Sequence, residues 1–439
     1  MGLLLGVLGN IYKQLAMGPF LHIDCNNFYV SCEKAFNPSL ENRPVIVLSN
    51  NDGCAISRSN EAKAIGIKMG EPAFKFRDKV EKYNIEVFSA NFVLYGDMSN
   101  RVMSLLSKYS SNIEIYSIDE AFLELSDIDE DLRELGLRIK KDIEKSTHIP
   151  ISVGIGPTKS LAKTATSIAK KYRKETLGVH YISNEELRVK ALKWLDIGDV
   201  WGIGRRYAKK LRAVNINNAL EFTQMSEYWV RESLSISGLK LMRDMKGIVS
   251  LELDTNNKRK SISITRTFDE SVSDYEEVRE RIFTFACKAS EKLRKQGSKA
   301  GSIQVFIASN PHRKDQKQYR NSMIHKLPYP SNNSVEIAKQ ARICLDRIFR
   351  EGYLYKRAGV VLMDFCSDKE DQLSLFDEGN PKYEKIIGIT DKINNKYGRS
   401  LIKLAAQSQG RDWKMRQEKL SREYTTDIND IIEVRLDKS

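Results

Sequence analysis

Hydrophobic and polar positions switch rhythm several times along the chain, and each switch predicts an element. Phe20 to Asp24 alternates as a strand that ends on a carboxylate. Asn26 to Ala35 then predicts a short helix, with Asn26 or Asn27 available as its cap. Pro44 to Ser49 is a continuous apolar run, the mark of a buried strand, and Asn60 to Ile65 predicts a helix stopped by Gly66. Ile113 to Leu125 reads as two strands joined by a tight turn. A helix over Asp127 to Thr147 follows, because Leu132, Leu135, Ile139 and Ile143 recur at helical spacing. Ile151 to Ile155 is a further strand, and Pro157 opens a long helix. Strands interleaved with crossing helices predict an α+β domain over residues 18–182.

From residue 183 to 253 the pattern turns all-helical. Within it, Trp201 to Leu211 reads as a G-x-G turn leading into a basic helix. That unit resembles a helix-hairpin-helix module, in which helix N-terminal amides and the cations after them hold a DNA phosphate. An ordinary helical hairpin with a glycine turn has the same pattern. A polar, basic stretch from Asp254 to Lys260 reads as a linker. Beyond it come a strand (Ile262 to Phe268), a helix (Tyr275 to Gln296), two strands (Ser302 to Ser309 and Ser322 to Leu327), a helix (Asn333 to Arg350) and a strand (Gly359 to Phe365). This βαββαβ order is the ferredoxin-like pattern and predicts a domain over 254–366. The tail, 367–439, is polar, with small helices expected around Tyr383 to Tyr397 and Asp412 to Leu420. Residues 1–17 read as an N-terminal extension, with Met17 a candidate start.

The charge balance adds a partner class. Lys and Arg outnumber Asp and Glu by 71 to 58 over 439 residues, a formal net charge of +13. Such an excess suits a polyanion, since each phosphate contact releases condensed counterions. The six cysteines form no C-x-x-C pair, which argues against structural zinc and fits unpaired thiols in a reducing cytoplasm. The apolar run Leu3 to Leu8 is too short to span a bilayer, and no membrane partner is expected.

Three carboxylates carry the candidate chemistry. Asp24 ends an apolar strand, and Asp119 and Glu120 sit at the turn of an apolar hairpin, positions costly for acids unless paired or bound to metal. Adjacent strand residues point to opposite faces, so Asp119 and Glu120 converge only if the turn breaks the pleat. Converged, the three acids suit two divalent ions flanking an in-line phosphoryl transfer. Singly, Asp24 reads equally as a helix cap and Asp119 as a turn residue. Lys159, Lys163 and Lys170 fall within about 40° of one another on a helix, opposite Leu161, Ile168 and Tyr172. Such a stripe suits a triphosphate, or is a solvated face.

The runs DCNNFYVSCE (from Asp24), NNDGCAISRSNEAKAIGIKMGEP (from Asn50), DMSNRV (from Asp97), YSIDEAF (from Tyr116), VGIGPTKSLAKTATSIAKK (from Val153) and VWGIGRR (from Val200) resemble those of Y-family translesion DNA polymerases, and within them the UmuC-type catalytic subunits. The resemblance covers Phe20 to the C-terminus. It implies a right hand: palm and fingers over 18–182, thumb over 183–253, little finger over 254–366, and a tail carrying a clamp-binding motif. It implies two Mg²⁺ ions on Asp24, Asp119, Glu120 and the backbone carbonyl of Cys25. Tyr29 would be the steric gate that rejects a ribose 2′-hydroxyl. Lys170, Lys63, Asn60 and Phe28 would meet the triphosphate. Lys63 stands where many relatives carry Arg, and Asn60 where many carry Tyr. Lys159, Lys163, Gly202, Gly204, Arg205 and Arg266 would meet DNA, and Gln372, Leu373, Leu375 and Phe376 the sliding clamp. The implied substrates are primer-template DNA and dNTPs, and the implied partners a UmuD′-type accessory dimer and a recombinase filament. The implied role is error-prone translesion synthesis within the SOS response to DNA damage. A nucleotide cyclase shares paired carboxylates on a ferredoxin-like sheet, but needs no helix-hairpin-helix or clamp peptide. A non-catalytic, clamp-tethered DNA-binding factor would not need all three acids.

Overall fold

The structure is a computed structural model that describes residues 18–126, 128–254, 258–368, 381–397, 401–407 and 415–432. The chain folds as two units. One comprises residues up to 255 together with those from 417 onward, and the other residues 256–416.

The first unit is built on a five-stranded sheet in the order β5-β6-β1-β7-β8. Its strands are β1 (Phe20–Cys25), β5 (Ile113–Ile115), β6 (Glu120–Glu124), β7 (Ile151–Gly156) and β8 (Val179–Tyr181). β1 runs antiparallel to both β6 and β7. Alternation along β1 sends Leu21, Ile23 and Cys25 into one core. Helices α1 (Phe28–Phe36), α2 (Phe92–Leu106) and α3 (Leu132–Thr147) supply side chains to that same core. The other face carries Phe20, His22 and Asp24 and is covered by α4 (Lys159–Lys171). Gly154 makes that close approach possible: a Cβ there would lie 2.1 Å from the Thr166 amide nitrogen and 2.2 Å from the Ala162 carbonyl. Thr158 rather than Pro157 sets the start of α4, its hydroxyl accepting from the Leu161 amide.

A smaller sheet in the order β3-β2-β4 comprises β2 (Val45–Leu48), β3 (Ala55–Arg58) and β4 (Glu86–Ser89). The helical stretch includes α5 (Arg205–Arg212) and α6 (Glu227–Met245). Its core takes in Leu161 and Ala165 of α4. Buried Asp244 accepts from the Ser160, Ser250 and Leu251 amides, fixing α6 to the start of α4.

The second unit is a four-stranded antiparallel sheet, ordered β11-β10-β12-β9, from β9 (Ile262–Val272), β10 (Ser298–Ser309), β11 (Arg320–Ser331) and β12 (Tyr355–Ser367). Helices α7 (Tyr275–Lys295) and α8 (Ser334–Ile348) pack on it around one core. A further helix, α9 (Pro381–Tyr397), is tied on by a two-pronged ion pair from Arg294 to Asp391 (2.7 and 2.9 Å). The helix expected at Asp412 to Leu420 is not formed over its described part. Residues 415–417 form no regular element and Glu418 and Lys419 lie in a turn; the Gln417 side-chain amide and the Glu418 and Lys419 backbone amides bond to Ala90, Asp52 and Ser89 instead of along a helix. Among the described residues no helix is long and apolar enough to cross a membrane. All six cysteines are unpaired.

Candidate active site

The antiparallel register sets Asp24 of β1 directly opposite Glu120 of β6 and Ser152 of β7. Directly opposed residues project from the same face, so both carboxylates stand beneath α4. β6 begins at Glu120, and Asp119 lies outside its pleat, in the preceding bend. There the Asp119 carbonyl accepts from the Cys25 amide (2.9 Å), and its carboxylate accepts from the Ser117 hydroxyl (2.5 Å). This is the break in the pleat that lets neighbouring acids turn to one place. The neighbouring Cys25 thiol is pushed far up by burial and then by the charges of Asp24, Asp119 and Glu120.

The lysine stripe of α4 maps onto this face rung by rung. Lys170 Nζ lies 2.5 Å from Asp24 and Lys163 Nζ 2.8 Å from Glu120. Lys159 Nζ lies 2.5 Å from Glu114 on β5. Burial raises the Asp24 carboxyl; Lys170 works against that rise, and the neighbouring Glu120 adds to it. His22, beneath the two acids, is pushed well below its ordinary value by burial and by Lys163, Lys170 and Lys159. Among the described residues no three His, Cys, Asp or Glu side chains form a ready-made metal cage. In this geometry each acid is satisfied by a lysine or a hydroxyl.

Facing the acids, Lys63 donates to Asn27 (2.5 Å), whose amide donates to Asn60 (3.2 Å). Burial and the charges of Arg58 and Lys170 lower the Lys63 ammonium, while Asp24 raises it. Asn27 therefore spends its side chain on this bridge and does not cap α1. Tyr29 lies flat on Tyr95 (centroids 4.5 Å apart, 15° between planes), with Phe92 edge-on at 6.0 Å. Its hydroxyl is raised by burial and then by Asp119.

The sequence of the impB/mucB/samB family matches residues 23–167, and that of its C-terminal domain residues 259–375. A domain of unknown function matches residues 384–434. The protein UmuC of Salmonella typhimurium is 40% identical, over 95% of this chain and 100% of its own. DNA polymerase IV of Bacillus anthracis is 27% identical, over 92% and 97% respectively. A solved Y-family DNA polymerase chimera of Dbh and Dpo4 superposes with a TM-score of 0.64 at 25% identity, covering 79% of this chain and 98% of its own. The chain belongs to the impB/mucB/samB family of Y-family DNA polymerases. Neither the cyclase nor the non-catalytic alternative is favoured by these relatives, and divalent-metal use comes with the family.

The remaining candidate residues of the polymerase differ in how exposed they are. Lys159 is 4% exposed and closed in by Glu114, the Glu252 carbonyl and the rings of Phe122 and Trp201, so it is unavailable to a DNA phosphate. Lys163 is likewise turned inward, onto Glu120 and over the Tyr116 ring. Phe28 is 4% exposed and its ring belongs to the core. Gly202, with φ of +87°, and Gly204 form the turn before α5, and Arg205 on its first turn is exposed. Arg266 is exposed on β9, on the same side as Ile262 and Ile264, and lines a cavity of about 650 Å³ with Lys288 and Lys292. Gln372, Leu373, Leu375 and Phe376 lie outside the described residues. The sequence reading missed Glu114 and Arg58. Arg58 ends β3, donates to the Ile67 carbonyl (2.8 Å) and adds a cation beside Lys63. Its signal was an arginine closing a β-rich run just before the Asn60 helix.

Proposed function

We propose that this polymerase performs template-directed, error-prone synthesis across damaged DNA, with two Mg²⁺ ions held by Asp24, Asp119, Glu120 and the Cys25 carbonyl. The observation that carries this reading is the register pair Asp24–Glu120 with Asp119 in the adjoining bend. The residues present fit such ions. Every donor is a hard oxygen, and Asp24 is a buried carboxylate raised further by Glu120, a repulsion that a cation relieves. Bound there, divalent ions would ease deprotonation of the primer 3′-hydroxyl and offset charge on the departing pyrophosphate.

The protein's own groups do the rest. Lys170 and Lys63 receive the triphosphate, and Lys163 orients Glu120 through its 2.8 Å ion pair. Asn60 bears on the same pocket through Asn27. Tyr29 rejects a 2′-hydroxyl by steric clash. We assign palm and fingers to 18–182, thumb to 183–253 and little finger to 254–366. The G-x-G turn and Arg205 grip the DNA backbone from the thumb, and Arg266 from the little finger. The pentapeptide from Gln372 to Phe376 docks on the sliding clamp. A UmuD′-type dimer and a recombinase filament complete the cytoplasmic assembly during the SOS response.

Asp119→Ala and Glu120→Ala, each in the full chain with its partners and Mg²⁺, test the assignment. Primer extension should fall at least ~100-fold, the scale set by removing a group that stabilises transition-state charge, while primer-template affinity stays nearly unchanged. Equal losses of binding and synthesis would make the two acids structural.

A further inference from the structure

Residues 417–424, part of the stretch matched by the domain of unknown function, run as a strap within the first unit. The strap extends the edge of the smaller sheet. The Ser89 amide donates to the Lys419 carbonyl (2.8 Å), the Lys419 amide to the Ser89 hydroxyl (2.9 Å), and the Gln417 amide group to the Ala90 carbonyl (2.8 Å). Ser89 and Leu420 form a parallel bridge. From there the strap reaches both helices whose aromatic rings surround Tyr29.

Ser421 is the junction. Its hydroxyl donates to buried Glu33 of α1 (3.0 Å) and accepts from the Asn91 amide group (3.1 Å), which caps α2. Asn91 also donates to the Ser421 and Arg422 carbonyls, both at 3.2 Å. Glu33 in turn accepts, on the same oxygen, from the Tyr95 hydroxyl of α2 (2.5 Å). Tyr95 is the ring on which Tyr29 lies. Three residues on, Tyr424 stacks on Phe36 of α1 at 4.9 Å and 11°. A path of direct contacts therefore runs from the strap through Ser421, Glu33 and Tyr95 to Tyr29.

We propose that this C-terminal strap is a positioning element for sugar selection, with Ser421 acting through Glu33 and Tyr95 on the ring of Tyr29. A steric gate works over fractions of an ångström, so its value depends on how firmly its ring is backed. Tyr95 is fully buried and oriented by one hydrogen bond to a carboxylate, which in turn is oriented by the strap. Glu33 is buried and accepts from both Tyr95 and Ser421 on one oxygen, so loss of the Ser421 donor leaves Tyr95 bonded to a less firmly held acceptor. The proposal rests on the reading of Tyr29 as the gate.

The test is single-nucleotide incorporation by the full chain with its partners, reading kcat/KM for a dNTP over that for the matching rNTP. Ser421→Ala should lower this discrimination roughly 3- to 10-fold, the range for one lost hydrogen bond to a buried group, mainly by admitting the rNTP. Ser421→Thr, which keeps the hydroxyl, should restore it. Tyr95→Phe keeps the stacked ring and removes the link to Glu33; it should loosen discrimination in the same direction, and serves if Ser421→Ala fails to fold. Tyr29→Ala separates the two readings. If it abolishes discrimination while Ser421→Ala and Tyr95→Phe leave the ratio unchanged, the strap proposal fails and the gate stands. If it leaves discrimination intact, the gate reading fails and takes the proposal with it. Equal loss of dNTP and rNTP use in Ser421→Ala would mark the strap as merely structural and would also overturn the proposal.

Discussion

Lys159 offers a sharp test of how the lysine helix works. Its ammonium lies 2.5 Å from Glu114, with the two side chains 5% and 8% exposed. Glu114 also accepts the Asp254 amide (2.7 Å). Removing one partner of such a pair leaves an uncompensated buried charge, which costs about 3–5 kcal/mol. Glu114→Leu and Lys159→Met should each lose at least ~3 kcal/mol, the lower bound of that range. For a unit of this size ~1 kcal/mol moves the melting temperature by roughly 2–4 °C, so each variant should melt about 6–12 °C lower. The double variant Glu114→Leu/Lys159→Met replaces the pair with apolar groups. It should melt well above the sum of the single losses, a coupling of at least ~2 kcal/mol on the scale seen for contacting residues. The assay is calorimetry of the three variants beside a salt titration of DNA affinity. Lys159→Met should leave the salt slope unchanged, because a lysine held inside the fold releases no counterion. A melting temperature within 1 °C of wild type (about 0.3–0.5 kcal/mol on that same scale), with a slope shallower by about one counterion, would refute the reasoning and return Lys159 to the DNA surface.

Two further outcomes follow from the same geometry. Gly154→Ala drives a Cβ to 2.1 Å from the Thr166 nitrogen of α4, a backbone atom with nowhere to go. It should cost more than ~3 kcal/mol and take primer extension with it, because α4 carries Lys163 and Lys170; an unchanged melting curve would contradict this. Glu33, raised to about 7 by burial, makes folding stability fall as pH rises. Its contribution is fully present below pH ~4.5, the unfolded value, and is lost on passing through 7. The loss amounts to about 3 kcal/mol. Subtracting the stability–pH curve of Glu33→Gln from that of wild type should isolate this slope, and parallel curves would show that Glu33 does not titrate there.

What was legible in the sequence was whatever short-range pattern controls. Asp24 at the end of an alternating strand, the acid pair at a hairpin turn and the stripe on α4 all announced themselves, as did the βαββαβ order of the second unit. The demand that the turn break the pleat was also readable, because adjacent strand residues diverge. What the lysines face was not. Spacing places Lys159, Lys163 and Lys170 on one side of a helix but is silent on whether that side meets DNA or a sheet. The register that brings Glu114, Glu120 and Asp24 beneath them is a tertiary fact. Glu33 and Ser421 are 388 residues apart. Ser421 lies just past a segment that read as a helix, and what replaces that helix is the bonding of Gln417 and Lys419 to the edge of the smaller sheet.

The most direct measurement of the central claim is primer extension across a template abasic site by the purified full chain, with accessory dimer, recombinase filament, clamp and Mg²⁺ supplied. The account predicts extension past the lesion that is lost on chelation of the metal and in Glu120→Ala. Wild-type protein that binds the primer-template under these conditions yet adds no nucleotide would contradict it.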